Sequence, residues 1–290
     1  MDTYALLGRT LNGTALLSPG LAGRAAFEIF RRPGGRSRVR TAEREVHDRA
    51  RTEHLTVAGK RTAVYRWGDG TRPVLLVHGW QSRASCFAPW VSRLLAAGLS
   101  PVAFDAPGHG DSGGRTTTIL EYREIIGRLH ERHGPFEAAV AHSFGVAATF
   151  LALGGGVPVG RVVAVAGVTD IRFLVDGFRH QLGLSDRLGT ELAHRIETVL
   201  FPEVDSVWDS FDSTRQPAAS VPPTLVVHDE DDPMVPVRHA HRLKAAYGDR
   251  VELLTTRRLG HRRVLTEPSV LDNALGFLAE PSARPAPSTA

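Results

Sequence analysis

Short apolar runs alternate with helical patterns along most of the chain. The runs are typical of strands that are buried on both faces of a sheet. They lie in the segments PVLLVHG, PVAFD, FEAAVAH, GRVVAVAG, PTLVVHD and RVELLTT. Helical spacing predicts helices over 88–97, 120–133, 238–247 and 269–278, and another directly after Ser143. Because parallel strands need long crossovers, this alternation predicts a mostly parallel sheet with helices on both faces.

Two segments depart from the alternation. The stretch EHLTVAGKRTAVYRWGDG has two runs of alternating character around Gly59, which predicts a β-hairpin. More than fifty residues between Gly167 and Val221 contain no strand-like run. Apolar residues recur there at helical spacing over 171–182 and again over 188–199. We therefore predict two amphipathic helices that form a lid over one end of the sheet.

These patterns divide the chain of 290 residues into four parts. Residues 1–52 are predicted to be an N-terminal helical extension. The α/β core comprises 53–168 and 221–279, with the helical lid, 169–220, inserted between them. The tail, 280–290, is rich in Pro, Ala and Ser and is predicted to be disordered.

The charge pattern adds few candidate partners. The net charge is +4, and eight arginines fall within 31–51, diluted by three acidic residues. Without interleaved aromatic residues this segment is expected to be a solvated helix face, and no nucleic-acid partner is predicted. Cys86 is the single cysteine, which excludes an internal disulfide and suits a cytoplasmic protein. We predict no secretory leader and no integral membrane segment.

The candidate chemistry lies at the carboxyl ends of the predicted strands, where open α/β sheets bind ligands. Ser143, in the segment AHSFG, stands where a strand turns sharply into a helix. Such an elbow needs small neighbours, which Ala141 and Gly145 supply. The first amide groups of the new helix would point to the place where an oxyanion forms.

The segment AHSFG, with its flanking strand and helix and the upstream HGW, resembles the nucleophile elbow of serine hydrolases of the α/β-hydrolase superfamily, in particular esterases and lipases. The resemblance extends from about residue 53 to 278. Ala141 stands where the family motif G-x-S-x-G has its first glycine. The resemblance implies an α/β-hydrolase fold, with a mostly parallel twisted sheet, helices on both faces and a small helical lid.

The family order of serine, acid and base implies the other two catalytic residues. In HDEDDPMVP the acid of similar enzymes directly precedes the proline, which selects Asp232, while Asp229 would shape the turn. Asp231 remains an alternative, and so does Asp170, because some relatives take their acid from the preceding strand. His261, which follows the last strand and Gly260, is implied as the base.

The resemblance also implies how the site is completed. The backbone N–H groups of Trp80 and Phe144 would form the oxyanion hole, and His78 would anchor the loop that carries Trp80. The segment DAPGHGDSGG, with His109, is expected to be a structural turn.

The substrate is predicted from the composition of the lid. Phe173, Phe178 and Trp208 are candidate substrate-binding residues, and they favour a carboxylic ester of apolar character. A thioesterase, an amidase or an acyltransferase with the same three residues remains open, and so does a non-catalytic ligand-binding protein on this fold. No cofactor is expected, and no metal is predicted because neither His239 with His241 nor His130 with His133 has a zinc-type spacing with a fixed third ligand.

Overall fold

The computed structural model of the protein describes residues 3–280. Within this range one sheet is formed by strands β1 (Arg51–Val57), β2 (Lys60–Arg66), β3 (Pro73–Val77), β4 (Ser100–Phe104), β5 (Ala138–His142), β6 (Val162–Val165), β7 (Thr224–Asp229) and β8 (Val251–Thr256). The helices are α1 (Thr3–Leu17), α2 (Pro19–Phe30), α3 (Thr41–Asp48), α4 (Ala88–Ala96), α5 (Ile119–His133), α6 (Phe144–Gly154), α7 (Ile171–Leu182), α8 (Asp186–Arg195), α9 (Val207–Ser210), α10 (Arg238–Tyr247), α11 (Gly260–Arg263) and α12 (Pro268–Ala279).

The strand order across the sheet is β1-β2-β4-β3-β5-β6-β7-β8. The hairpin β1–β2 is antiparallel, β2 pairs antiparallel with β4, and every other neighbouring pair is parallel. The parallel strands therefore bring their carboxyl ends to one edge, where β3 and β5 are adjacent. In register, Val77 pairs with Ala141. This is the α/β-hydrolase fold expected from the sequence.

The central strands are apolar throughout because the sheet is covered on both faces. Leu75 and Val77 belong to the buried cluster that includes residues of α5 and α6. Leu76 points to the opposite cluster, which includes residues of α4 and α12. Trp90 is fully buried in that second layer, and its indole N–H donates to the carbonyl oxygen of Leu265 at 2.7 Å.

The structure shifts the predicted element boundaries by a few residues. Strand β1 begins at Arg51, two residues before the start predicted for the core. Helix α5 begins after Thr118, which forms a capping box with Glu121. Each of these two side chains accepts a hydrogen bond from the other residue's backbone N–H, which fixes where the helix starts.

The N-terminal helices pack against the segment predicted as a lid. Helices α1 and α2 share a small buried cluster with α7 and α8, which includes Leu11, Ala22 and Leu188. The side chain of Asn12 bridges the turn before α8: its amide donates to the carbonyl oxygen of Gly183, and its oxygen accepts from the backbone N–H of Ser185. The two segments therefore form one packed unit.

Two sequence-based expectations concern other parts of the chain. No helix in the described part of the chain is long and apolar enough to cross a membrane. Disorder is predicted for residues 280–290. All of these except Glu280 lie outside the described range.

Candidate active site

Ser143 lies at the junction of β5 and α6 with φ 56° and ψ −121°, a backbone conformation that residues with a Cβ rarely adopt. Its N–H donates to the carbonyl oxygen of Val165 at 3.0 Å on the neighbouring strand. The sharp turn leaves no room for a side chain at two neighbouring positions, 145 and 79. A Cβ at Gly145 would lie 2.3 Å from the carbonyl oxygen of Val77, and one at Gly79 would lie 2.7 Å from Cβ of Ser143.

The structure joins Ser143, His261 and Asp232 in a hydrogen-bonded series. Nδ1 of His261 donates to Oδ2 of Asp232 at 2.7 Å, so Nε2 is the free acceptor that faces Oγ of Ser143 at 3.0 Å. Both the imidazole and the carboxylate are buried. The arrangement can therefore remove a proton from the serine hydroxyl while the carboxylate stabilises the resulting imidazolium.

Asp232 is held as a carboxylate. Its other oxygen, Oδ1, accepts from the backbone N–H groups of Met234 at 2.8 Å and Val235 at 3.0 Å. Burial opposes ionisation, but the hydrogen bonds from His261 and these backbone groups outweigh it and hold the pKa of Asp232 below its usual range. The turn DDPMV thus fixes which carboxylate oxygen faces the imidazole.

The neighbouring acids lie elsewhere. Asp231 accepts from the backbone N–H of Arg258 at 2.9 Å. Asp170 caps α7 through the N–H of Phe173 at 2.8 Å and pairs with Arg242. Asp229 accepts from the N–H of Leu259, on the loop before His261, at 3.0 Å. Of the acidic residues considered as partners for His261, the structure places only Asp232 against the imidazole.

Two backbone N–H groups flank Ser143 and suit an oxyanion. Phe144 is the first residue of α6, so its N–H has no partner within the helix. Trp80 follows Gly79, the glycine that contacts Ser143. In the part of the chain that the structure describes, neither N–H donates a hydrogen bond. Both predicted donors are therefore free of other hydrogen-bond partners among the described residues.

Two buried histidines fix the loop that carries Trp80. Nε2 of His78 accepts from the N–H of Ala106 at 3.0 Å, so Nδ1 donates to the carbonyl oxygen of Gly79 at 2.7 Å. Nε2 of His109 accepts from the N–H of Gln81 at 3.1 Å. The segment around His109 is thus a structural turn, and it also holds the loop of Trp80 through Gln81, which has a φ of 56°.

Comparisons with known proteins identify the family of the chain. The model of the Alpha/beta hydrolase family matches residues 74–274. The chain belongs to the alpha/beta hydrolase family. It is 27% identical to the esterase YjfP of Escherichia coli (strain K12), in a match that covers 71% of this chain and 88% of the relative. The fold and the hydrolase family expected from the sequence are therefore confirmed.

Solved structures of similar fold include a putative hydrolase from Agrobacterium vitis S4, with 22% identity and a TM-score of 0.61, over 80% of this chain and 99% of the other. Another is an esterase from Exiguobacterium antarcticum, with 14% identity and a TM-score of 0.61, over 79% and 100%. At these identities the likeness concerns the fold.

In this member of the alpha/beta hydrolase family, Ser143 opens into a cavity of about 890 Å³. Phe173 and Phe178, the candidate substrate-binding residues, line it, and so do Trp80 and Leu174. The lining also includes apolar residues that the sequence did not single out: Phe30, Leu200, Phe201 and Met234. Phe30 comes from α2 and packs edge-to-face on Phe178, with ring centroids 5.4 Å apart. The N-terminal helices therefore help to build the cavity, a role that the sequence did not indicate.

Trp208 does not line this cavity. Its indole N–H donates to the carboxylate of Glu197, and the guanidinium of Arg172 lies 4.6 Å from its ring centre. With these partners the ring packs outside the cavity lining, which corrects the expectation that Trp208 binds substrate. Cys86 lines the cavity, but burial raises the pKa of its thiol to about 12 and disfavours the thiolate.

The candidate metal ligands stay apart. His239 is buried, and its Nδ1 lies 2.7 Å from the hydroxyl of Thr169, while His241 is exposed on the same helix. Among residues 3–280 no group of three His, Cys, Asp or Glu side chains could hold a metal ion.

We expect acid to destabilise the fold through its buried histidines. Burial lowers the pKa of His78 to about 4, and burial likewise lowers the pKa values of His109 and His142 to about 3. Above the ordinary histidine pKa these three side chains are neutral in both the folded and the unfolded chain, so they do not reduce the free energy of unfolding. As the pH falls below about 6.5, the unfolded chain gains protons that the folded chain does not. At pH 5 each of these histidines therefore lowers the free energy of unfolding by about 2 kcal/mol.

The measurement is urea unfolding at neutral pH and near pH 5, with a lower midpoint expected in acid. His109→Gln keeps an acceptor for the N–H of Gln81 and should flatten this pH dependence. His241→Gln, on an exposed histidine, is the matched control and should not. Equal flattening by both variants would contradict the assignment.

Proposed function

We propose that this protein is a serine esterase that hydrolyses carboxylic esters of apolar character. The observation that carries the proposal is the hydrogen-bonded series of Ser143, His261 and Asp232 at the floor of a largely apolar cavity. The E. coli relative described as an esterase supports the same reaction class.

The reaction follows from the positions of these groups. Nε2 of His261 takes the hydroxyl proton of Ser143 as Oγ attacks the ester carbonyl carbon. The backbone N–H groups of Trp80 and Phe144 donate to the oxyanion of the tetrahedral intermediate. His261 then returns the proton to the departing alcohol. An acyl group is left on Oγ, and water activated by the same imidazole releases it as the carboxylic acid.

Asp232 acts through His261. It accepts from Nδ1, keeps the tautomer in which Nε2 is free, and stabilises the cationic imidazole. The Phe178 side of the cavity would hold the apolar part of the substrate, away from water.

Covalent labelling tests the proposal. A fluorophosphonate probe should modify Oγ of Ser143, located by mass spectrometry of the digested protein, and His261→Gln should abolish the modification. Ser82→Ala removes another serine of the cavity lining and is the control, which should label normally. Labelling that persists in Ser143→Ala would overturn the proposal.

A matched substrate set distinguishes the remaining activities. An ester, a thioester and an amide of the same acyl group should be hydrolysed with the ester fastest. Transfer of the acyl group to an added alcohol in preference to water would instead indicate an acyltransferase. Binding without turnover of any of them would indicate a non-catalytic protein on this fold.

A further inference from the structure

A segment rich in arginine borders the cavity. We call residues 31–40, between α2 and α3, the N-terminal arm. The sequence predicts a solvated helix face here, but Pro33, Gly34 and Gly35 interrupt the chain, and the arm is extended or bent rather than helical. The arm therefore crosses the surface of the core instead of standing free in solvent.

The arm is fixed to the core by Arg36. Its guanidinium donates to the carbonyl oxygens of Gly110 at 2.8 Å and Gly114 at 2.7 Å, and also to that of Ser112. A guanidinium presents its donors in a rigid fork, so several carbonyl oxygens on one turn hold it in a single orientation. The arm thus has a defined place on the turn that follows β4.

Ser37 connects the arm to the loop that carries Trp80. The hydroxyl of Ser37 donates to the carbonyl oxygen of Gln81 at 2.6 Å, and Arg83 donates to the carbonyl oxygen of Ser37 at 3.3 Å. Gln81 directly follows Trp80, the proposed oxyanion donor. The arm is therefore hydrogen-bonded to the residue that directly follows the proposed oxyanion donor.

The cavity lining gains an excess of positive charge from this arrangement. The arginines concerned are Arg31, Arg32, Arg38 and Arg40 from the arm and Arg262 from the loop beside His261. The one carboxylate among the lining residues, that of Glu43, already accepts from the hydroxyl of Ser85 at 2.7 Å and from the N–H of Arg40 at 3.1 Å.

Intramolecular partners neutralise only some of these guanidinium groups. Glu28 pairs with Arg31 at 3.1 Å and with Arg32 at 3.5 Å, and Glu43 pairs with Arg40 at 3.8 Å. Within the described residues Arg38 and Arg262 form no ion pair. Uncompensated guanidinium groups beside an apolar cavity attract anions and match the planar geometry of carboxylate and phosphate oxygens.

We propose that the cavity selects esters that carry a second, anionic group, a carboxylate or a phosphate, which binds to the arginines of the arm and to Arg262. This inference rests on the proposed hydrolysis at Ser143 and names the substrate class for it. The ester carbonyl would lie at Ser143, the apolar part against Phe178, and the anion at the arm.

A pair of substrates with the same acyl chain tests the selection. Monomethyl adipate carries a free carboxylate, whereas dimethyl adipate does not, and both release methanol. We expect kcat/KM for the monoester to exceed that for the diester by about tenfold at low ionic strength. The preference should shrink as added salt screens the charges. An acetate ester of a hydroxyalkyl phosphate, compared with the acetate of the parent alcohol, tests phosphate as the anion.

Variants locate the effect. Arg38→Gln combined with Arg262→Gln should lower the ratio of monoester to diester kcat/KM by about tenfold. Arg44→Gln, on α3 in the same basic segment but outside the cavity lining, is the matched control and should keep the wild-type ratio. Equal hydrolysis of both adipates by the wild-type protein, or an equal loss in the control, would overturn the inference.

Calorimetry separates the inference from the proposed function. The Ser143→Ala variant should bind monomethyl adipate more tightly than dimethyl adipate whether or not the wild-type protein hydrolyses either. Selective binding without hydrolysis would support the anion site and count against the esterase. Hydrolysis of both adipates without selective binding would support the esterase and count against the anion site.

Discussion

Replacing Ser143 by alanine should lower kcat for ester hydrolysis by about 10⁵- to 10⁶-fold. No other hydroxyl lies against Nε2 of His261 in the part of the chain that the structure describes, so no second nucleophile could replace it. The measurement is initial-rate kinetics on the preferred ester. Thermal unfolding of the same samples checks that the fold persists, since the alanine removes only the hydroxyl.

Substitution by glycine provides a second, independent test at the same position. Ser143 has a φ of 56°, which costs a residue with a Cβ about 1–3 kcal/mol. Ser143→Gly should therefore be as inactive as Ser143→Ala but more stable by about 1 kcal/mol, because glycine adopts this conformation without strain. If the alanine variant were the more stable of the two, the elbow would not be strained. If either variant kept near-normal kcat, Ser143 would not be the nucleophile.

The sequence was sufficient to predict the sheet because burial on both faces leaves a simple pattern. Strands such as β5 and β7 contain continuous apolar runs, and the polar residues at their ends mark the carboxyl edge. The elbow was predictable for a related reason, since a close contact with the backbone of Val77 on β3 requires glycine at position 145. These features are local in sequence, even where their causes are tertiary.

What could not be predicted depends on how distant segments dock. Four consecutive acids precede Pro233, and the family pattern selects Asp232 among them. Its contact with His261, and the contact of Asp231 with the N–H of Arg258, depend on how the folded loops meet. The position of the Arg36 guanidinium depends on hydrogen bonds to carbonyl oxygens of residues more than seventy positions further along the chain. Trp208 is an aromatic residue of the type expected in an apolar cavity, yet its indole N–H donates to Glu197 and the residue lies outside the cavity lining. No periodicity records such long-range contacts.

Replacing Asp232 by asparagine should lower kcat by about 10⁴-fold at neutral pH. The reason lies in how this turn is built. Oδ1 of Asp232 accepts from the N–H groups of Met234 and Val235, so the oxygen of an asparagine amide must stay on that side. The amide nitrogen is then forced to face His261 and donates to Nδ1 where a carboxylate accepted.

The imidazole of that variant would carry its proton on Nε2, the atom that must accept from Ser143. Kinetics should therefore show the loss in kcat, while KM, which depends on the cavity, changes little. Asp231→Asn and Asp170→Asn are the matched controls because they alter the two alternative acids, and each should keep kcat within about threefold of wild type. A larger loss in either control than in Asp232→Asn would reassign the acid. Because two backbone amides fix the orientation of the asparagine, its expected effect is to impose the wrong tautomer rather than to loosen the site.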